Sequence, residues 1–350
     1  MRKLVILFAC ASLLLAQPSA AASPVGQVQN FGPDLKSKCV FPEGIAVDPS
    51  GNIYASSANL AASSGPANIC VLDRAGSLVD LISVAAGPAG VANLLGMLFV
   101  PGEGLYVADF AGGGGGGRVV LVNVATHAVA LVASGFKAPN ALAKDEDGNL
   151  WVSDSFTGAI TKVAPSGATT TFAYPAELKP SAGEFPPFGA NGIAFDRDEE
   201  FLYVAMTSRD QILRIRHEDG ALGAIELFAT GTPGGALDGA DGIAFDLKGN
   251  LYVCSNQSDE IAVLDTASHV VAEIRGSGAD AFSSPASLVF VGRTVYVTNL
   301  AAFHGGAGQK LSVFTAAHAG ARLVLGARGR GDGGDNDDGH HDGDTDGDDD

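Results

Sequence analysis

GADGIAFDLKGNLYV, residues 239–253, sets a carboxylate, Asp241, at the mouth of an apolar run, Ile243-Ala244-Phe245, that reads as a buried strand. The chain then turns through Asp246-Leu247-Lys248-Gly249-Asn250 into a second run, Leu251-Tyr252-Val253. Asp opens a tight turn and Gly supplies its positive φ, so the stretch is a hairpin. The phrase recurs. Its second strand returns as NIYASS, GLYVAD, NLWVSD, FLYVAM, NLYVCS and TVYVTN, with aromatics at Tyr54, Tyr106, Trp151, Tyr203, Tyr252 and Tyr296. The intervals are 52, 45, 52, 49 and 44 residues, the length of a propeller blade. Further runs such as NICVLD, RVVLVN, ILRIRH and EIAVLD bring each repeat to about four antiparallel strands. Such a sheet cannot bury its faces alone, but six arranged radially bury them against one another. The sequence therefore predicts an all-β fold, a six-bladed propeller with four-stranded blades around a central channel. Val25–Phe31 and Leu323–Leu325 are both candidates for the strand that closes the ring.

The flanks differ in kind from the repeats. MRKLVILFACASLLLAQPSAAAS begins with Arg2 and Lys3, continues with 13 residues dominated by apolar side chains from Leu4 to Ala16, and ends in small residues. This is the pattern of a secretory signal peptide, too short to span a bilayer, with cleavage expected near Ala20 to Ala22. The expected organisation is a signal peptide over 1–22, the propeller over 23–327 and an acidic Asp/Gly-rich tail over 328–350, in a protein exported to the periplasm or the exterior. The formal charge is −18, but ten of the acids lie between Asp332 and Asp350. Residues 23–331 carry 19 basic and 29 acidic side chains, and an acidic body argues against nucleic acid and anionic membranes as partners. A monomer acting on a small molecule is expected. Cys39 and Cys70 flank the first repeat and could pair in an oxidising compartment, whereas Cys254, inside LYVCSN, reads as a buried thiol.

The residue just before the first strand of each repeat carries the functional information. In order it is Glu43, Leu95, Asn140, Asn191, Asp241 and Ala286, always 10 to 12 residues ahead of the aromatic. In a propeller these positions face one another across the channel, so Glu43, Asn140, Asn191 and Asp241 converge on the axis. Oxygen-only ligands, two anionic and two neutral, suit a hard divalent cation, Ca2+ before zinc because no His or Cys joins them. Without an ion the two carboxylates would repel in a partly desolvated channel. Strand or turn capping would explain any one of the four, but not four at one register.

The phrases PEGIAVD, APNALAKD, GANGIAFD and GADGIAFD resemble the SMP-30/gluconolactonase/luciferin-regenerating family and its wider six-bladed lactonase and phosphotriesterase relatives. The resemblance implies that Glu43, Asn140, Asn191 and Asp241 hold a catalytic calcium or similar ion, with Asp241 also the general base. It also marks departures. Where gluconolactonase-type members often carry a substrate-binding Arg stands Ala138, and where paraoxonase-like members carry a catalytic His stands Leu95.

Other motifs recede. Gly112–Gly117 lacks the Lys-Ser/Thr and helix of a phosphate loop. Asp342-x-Asp344-x-Asp346-Gly347 opens like an EF-hand loop, but the chain stops before the twelfth position, and a solvated acidic tail is the simpler reading. There is no GxSxG elbow, and the histidines lie outside the ring register. The sequence points to a secreted metal-dependent hydrolase of lactones or related esters. The alternatives are a non-catalytic propeller with a structural ion that binds a ligand or protein, and a lyase or synthase on the same scaffold.

Overall fold

A computed structural model of the protein describes residues 24–174 and 176–321; the expected signal peptide (1–22), the expected acidic tail (328–350) and Leu323–Leu325 lie outside the described residues. Its 24 strands form six antiparallel sheets of four. Five blades use consecutive strands, beginning at Pro42, Leu94, Pro139, Ala190 and Ala240. The sixth takes three strands from Pro285 onward and completes itself with Gln29–Phe31, which pairs with Leu311–Thr315. Of the two stretches weighed for closing the ring, the N-terminal one does so, tying the start of the propeller to its end.

The hairpin chemistry read from the sequence is present. Gly51, Gly148 and Gly249 sit at φ +85°, +83° and +82° in the turns DPSGN, DEDGN and DLKGN. In each turn the Asp carboxylate binds both the backbone N–H and the side-chain amide of the Asn four residues on. In two of them it also reaches the strand aromatic: Tyr54 OH donates to Asp48 Oδ2 at 3.0 Å and Trp151 Nε1 to Asp145 Oδ2 at 2.8 Å. The spacing Asp…Asn-x-aromatic thus fixes each hairpin and its register together.

Burial falls from the axis outward. The second strands of blades 1, 3 and 5 are buried throughout, whereas the outer strands Val129–Phe136 and Val270–Ile274 are mostly exposed. Six apolar cores result, one between each pair of neighbouring blades. The seam between blades 6 and 1 also holds the Cys39–Cys70 disulfide, with Cα atoms 6.0 Å apart and 31 residues of separation. Closing a loop of that length restricts the unfolded chain by roughly 3–4 kcal/mol. Cys254 is free and buried.

Glu199 stands apart from this order. It is 9% exposed, and its Oε1 has no hydrogen-bond partner. Burial, then the charges of Asp145, Glu146 and Asp147, push its carboxyl up to about 7, against one favourable N–H from Glu146. Because the folded state binds this proton more tightly than the unfolded chain does, the contribution is complete below about pH 4.5 and is lost as pH rises toward 7. Glu199→Gln keeps the shape without the charge. We expect it to stabilise the protein above pH 7 by about 1 kcal/mol after solvent screening, or roughly 2–4 °C, and to be neutral at pH 4. Melting curves of both proteins at pH 4 and 8 check this; an equal shift at both would remove the charge from the explanation.

Candidate metal centre

Each of the six inner strands carries the same one-residue bulge. Between paired residues such as Pro42↔Ser57 and Ile45↔Ala55, two inner-strand residues face one on the neighbour. The first bulge residue is in turn Glu43, Leu95, Asn140, Asn191, Asp241 and Ala286. A bulge turns a side chain out of the strand's alternation, and here it does so at one level all round the channel. All six are buried; Glu43, Asn140, Asn191 and Asp241 are 3–4% exposed.

The second bulge residue sets how closely the strands approach. Gly44, Gly96, Gly192 and Gly242 each lie against the carbonyl oxygen of the first bulge residue in the next blade, where a Cβ would overlap it. Hydroxyls bind the same ring of carbonyls, one beside Gly44 and two at seams that lack such a glycine. Ser56 Oγ accepts from Gly44 N at 2.7 Å and donates to Leu95 O at 2.8 Å. Ser153 Oγ accepts from Ala141 N at 2.9 Å and donates to Asn191 O at 2.7 Å. Thr298 Oγ1 likewise donates to Glu43 O, joining blade 6 to blade 1. Backbone close approaches and these hydroxyls together link each inner strand to the next at the level of the ring.

A set of residues that the sequence reading missed orients the polar members. Ser155 Oγ donates its only hydrogen to Ala190 O at 2.7 Å, so it can only accept from Asn140, whose Nδ2 lies 3.0 Å away. Thr207 Oγ1 donates to Ala240 O and accepts from Asn191 Nδ2, both at 2.9 Å. With each NH2 tied down, Oδ1 is the amide's free acceptor. Asn256 Nδ2 donates to Asp241 Oδ2 at 2.8 Å. These three sit four residues after the blade aromatic, where the other repeats have Ala58, Phe110 and Leu300. Aligning that column would have found them: polar residues occupy it in just the blades that carry Asn140, Asn191 and Asp241.

Glu43 Oε2, Asp241 Oδ1 and Asn256 Oδ1 are buried acceptors with no donor. Burial, and then the Asp241 charge, hold the Glu43 carboxyl well above the usual carboxylate range. Burial pushes Asp241 up to about 7, although the amides of Asn256 and Asn191 favour its anion. The Cys254 thiol, opposite the blade 5 bulge, is raised by burial and then by both carboxylates. A site rich in unpaired oxygens and short of donors is what a hard cation satisfies. Among the described residues no three His, Cys, Asp or Glu side chains are grouped to hold a metal, so any cation here needs the Asn oxygens as well. The expected site residues fit such an ion, and Asn256 Oδ1 joins them as an available ligand.

Residues 187–301, which include Asn191 and Asp241, match the family model described as SMP-30/Gluconolactonase/LRE-like region. Residues 34–59, which include Glu43, match the one described as Strictosidine synthase-like, N-terminal. The resemblance to the SMP-30/gluconolactonase/LRE-like family holds. No curated protein matches the chain in sequence. Among solved structures, the calcium-binding protein regucalcin of Agrobacterium tumefaciens superposes with a TM-score of 0.61 at 18% identity, covering 85% of this chain and 98% of that one. A gluconolactonase of Xanthomonas campestris gives 0.57 at 17%, covering 85% and 98%. A virginiamycin B lyase of Staphylococcus aureus, solved with quinupristin, gives 0.54 at 16%, covering 83% and 99%. At these identities what is shared with the SMP-30/gluconolactonase/LRE-like structures is the fold.

Proposed function

We propose that the protein is an exported, metal-dependent hydrolase of lactones or related esters, with Glu43, Asn140, Asn191 and Asp241 holding a divalent cation, Ca2+ by preference. The observation that carries this is the set of donorless buried oxygens on Glu43, Asp241 and Asn256 inside a gluconolactonase-like propeller. When bound, the cation balances the two carboxylates and polarises a carbonyl oxygen as a Lewis acid. The chain's own residues do the rest. Ser155 and Thr207 turn the Asn oxygens toward the axis. Asn256 fixes Asp241 through Oδ2, which leaves Oδ1 to take a proton from the attacking water. Leu95 and Ala286 leave the other ring positions without polar side chains. Water adds to the acyl carbon, the ring C–O bond breaks, and the proton passes to the departing alkoxide, giving a hydroxy acid. Export is supported by the N-terminal pattern and by the Cys39–Cys70 disulfide.

A second reading is a non-catalytic, ligand-binding propeller with a structural ion. The apolar Leu95 and Ala286 favour it, because those two positions supply no group to donate a proton to the leaving oxygen and both ring carboxylates are taken up as ligands. A panel of lactones and aryl esters, run with calcium and again after chelation, decides between them. Hydrolysis that chelation abolishes and calcium restores is expected. Metal binding without hydrolysis across the panel would favour the second reading.

A further inference from the structure

The glycine run 112–117 has a packing role. Gly113 sits at φ +70°, and a Cβ on it would lie 2.7 Å from Phe110 Cζ and 2.9 Å from Phe156 Cε2. The loop thus lies flat against two aromatic rings. Phe110 meets Phe156 edge-on with centroids 5.5 Å apart and Phe188 at 6.3 Å, while Phe156 and Phe188 stack at 5.8 Å with planes 13° apart. The three rings come from different parts of the fold. Phe110 follows the second strand of blade 2, Phe156 follows that of blade 3, and Phe188 ends the connection into blade 4. Blades diverge outward, so side chains from three consecutive blades meet only where the blades converge, beside the channel mouth. The backbone agrees. Phe156 follows Ser155, the partner of Asn140; Phe188 precedes Asn191 by three residues; and Phe110 N donates at 2.9 Å to Asn93 O, two residues from Leu95. All three rings are half-buried, each keeping part of its surface open.

We infer that Phe110, Phe156 and Phe188 form a specificity wall that takes the apolar substituent, alkyl or aryl, of a substrate whose carbonyl lies at the ring. This rests on the hydrolase reading and names its substrate class. A polyhydroxylated lactone laid on phenyl surface would exchange hydrogen bonds to water for none, and Leu95 and Ala286 offer it no side-chain partner. An alkyl chain instead gains roughly fourfold for each methylene it buries.

The test compares kcat/KM of the full-length protein for δ-valerolactone, δ-decanolactone and glucono-δ-lactone, and in parallel the affinities of δ-valerolactam and its 6-pentyl derivative. The pentyl lactone is expected to exceed the parent by at least about 30-fold, with the sugar lactone below both. Phe156→Ala should cut that preference about tenfold and leave δ-valerolactone within about threefold, and Phe156→Leu should restore most of it. Melting temperatures verify folding, and Phe188→Ala carries the same comparison should the first variant not fold. A preference for the sugar lactone, or an unchanged pentyl preference in a folded Ala variant, would overturn the wall. If no lactone is hydrolysed, the lactams still decide. A pentyl-dependent affinity that Phe156→Ala removes supports the wall while the hydrolase reading fails, and an affinity blind to the pentyl group sinks the wall itself.

Discussion

Asp241→Asn is expected to lower the turnover of any hydrolysed lactone by about 100-fold or more at saturating calcium, the scale of losing a general base. The surroundings make it a clean substitution. Asp241 Oδ2 now accepts from Asn256 Nδ2, while Asn256 Oδ1 has no partner. An amide at position 241 can therefore give its NH2 to a flipped Asn256 and still present an oxygen to the channel. Cation binding should survive with weaker affinity, having lost one negative charge, but the side chain can no longer take a proton from water. Measuring kcat across a calcium titration separates the two effects. Turnover equal to the parent at saturation would leave Asp241 as a ligand only. Small substitutions at Leu95 and Ala286, in the same register, are the controls and should move substrate preference more than metal affinity.

Gly192→Ala is expected to be strongly destabilising, as damaging as a methyl group at Gly44, the other ring position with so close an approach. It would place a Cβ on the carbonyl oxygen of Asp241 in the next blade, and both partners are backbone, so neither can swing aside. Overpacking of this kind costs about 3 kcal/mol, or roughly 5–10 °C in melting temperature. Because the methyl pushes Asn191 and Asp241 apart, calcium affinity should fall with stability. Blade 3 provides the contrast, since it carries Ala141 at the equivalent place. Ala141→Gly should cost no more than about 1 kcal/mol. Thermal melts of both variants test the close approach; a Gly192→Ala protein that melts with the parent would show that the inner strands are not locked in this way.

Much of this was legible in the sequence because propeller symmetry copies one local solution six times. The Asp-x-x-Gly-Asn turns and strand aromatics fixed the register of each hairpin, and that register put Glu43, Asn140, Asn191 and Asp241 at one level. Ring closure was left open because Gln29–Phe31 is only three residues long and its partner lies 280 residues away, where no local pattern points to it. Ser155, Thr207 and Asn256 were missed for a different reason. They lie past the end of the strand, where hydroxyl and amide residues usually serve turns, and their role appears only once the neighbouring carbonyl is seen. The bulges themselves are invisible in sequence, since one extra residue changes direction without changing composition. Phe110, Phe156 and Phe188 lie in loops of unequal length, so nothing along the chain aligns them.

If the ring holds one cation through Glu43 and Asp241, removing both carboxylates must remove one bound calcium per chain. Because ten further acids lie between Asp332 and Asp350, the full-length protein should be compared with Glu43→Gln/Asp241→Asn, which keeps that stretch intact. Both are equilibrated with calcium and assayed by elemental analysis, with melting curves in calcium and in chelator. The parent is expected to hold one more tightly bound ion per chain. At calcium 100-fold above its dissociation constant, that ion should stabilise the parent by about 2.7 kcal/mol. In chelator the double variant should melt above the parent, because it no longer buries two repelling carboxylates. Equal calcium content in the two proteins, with melting curves that ignore the chelator, would show that the ring holds no cation.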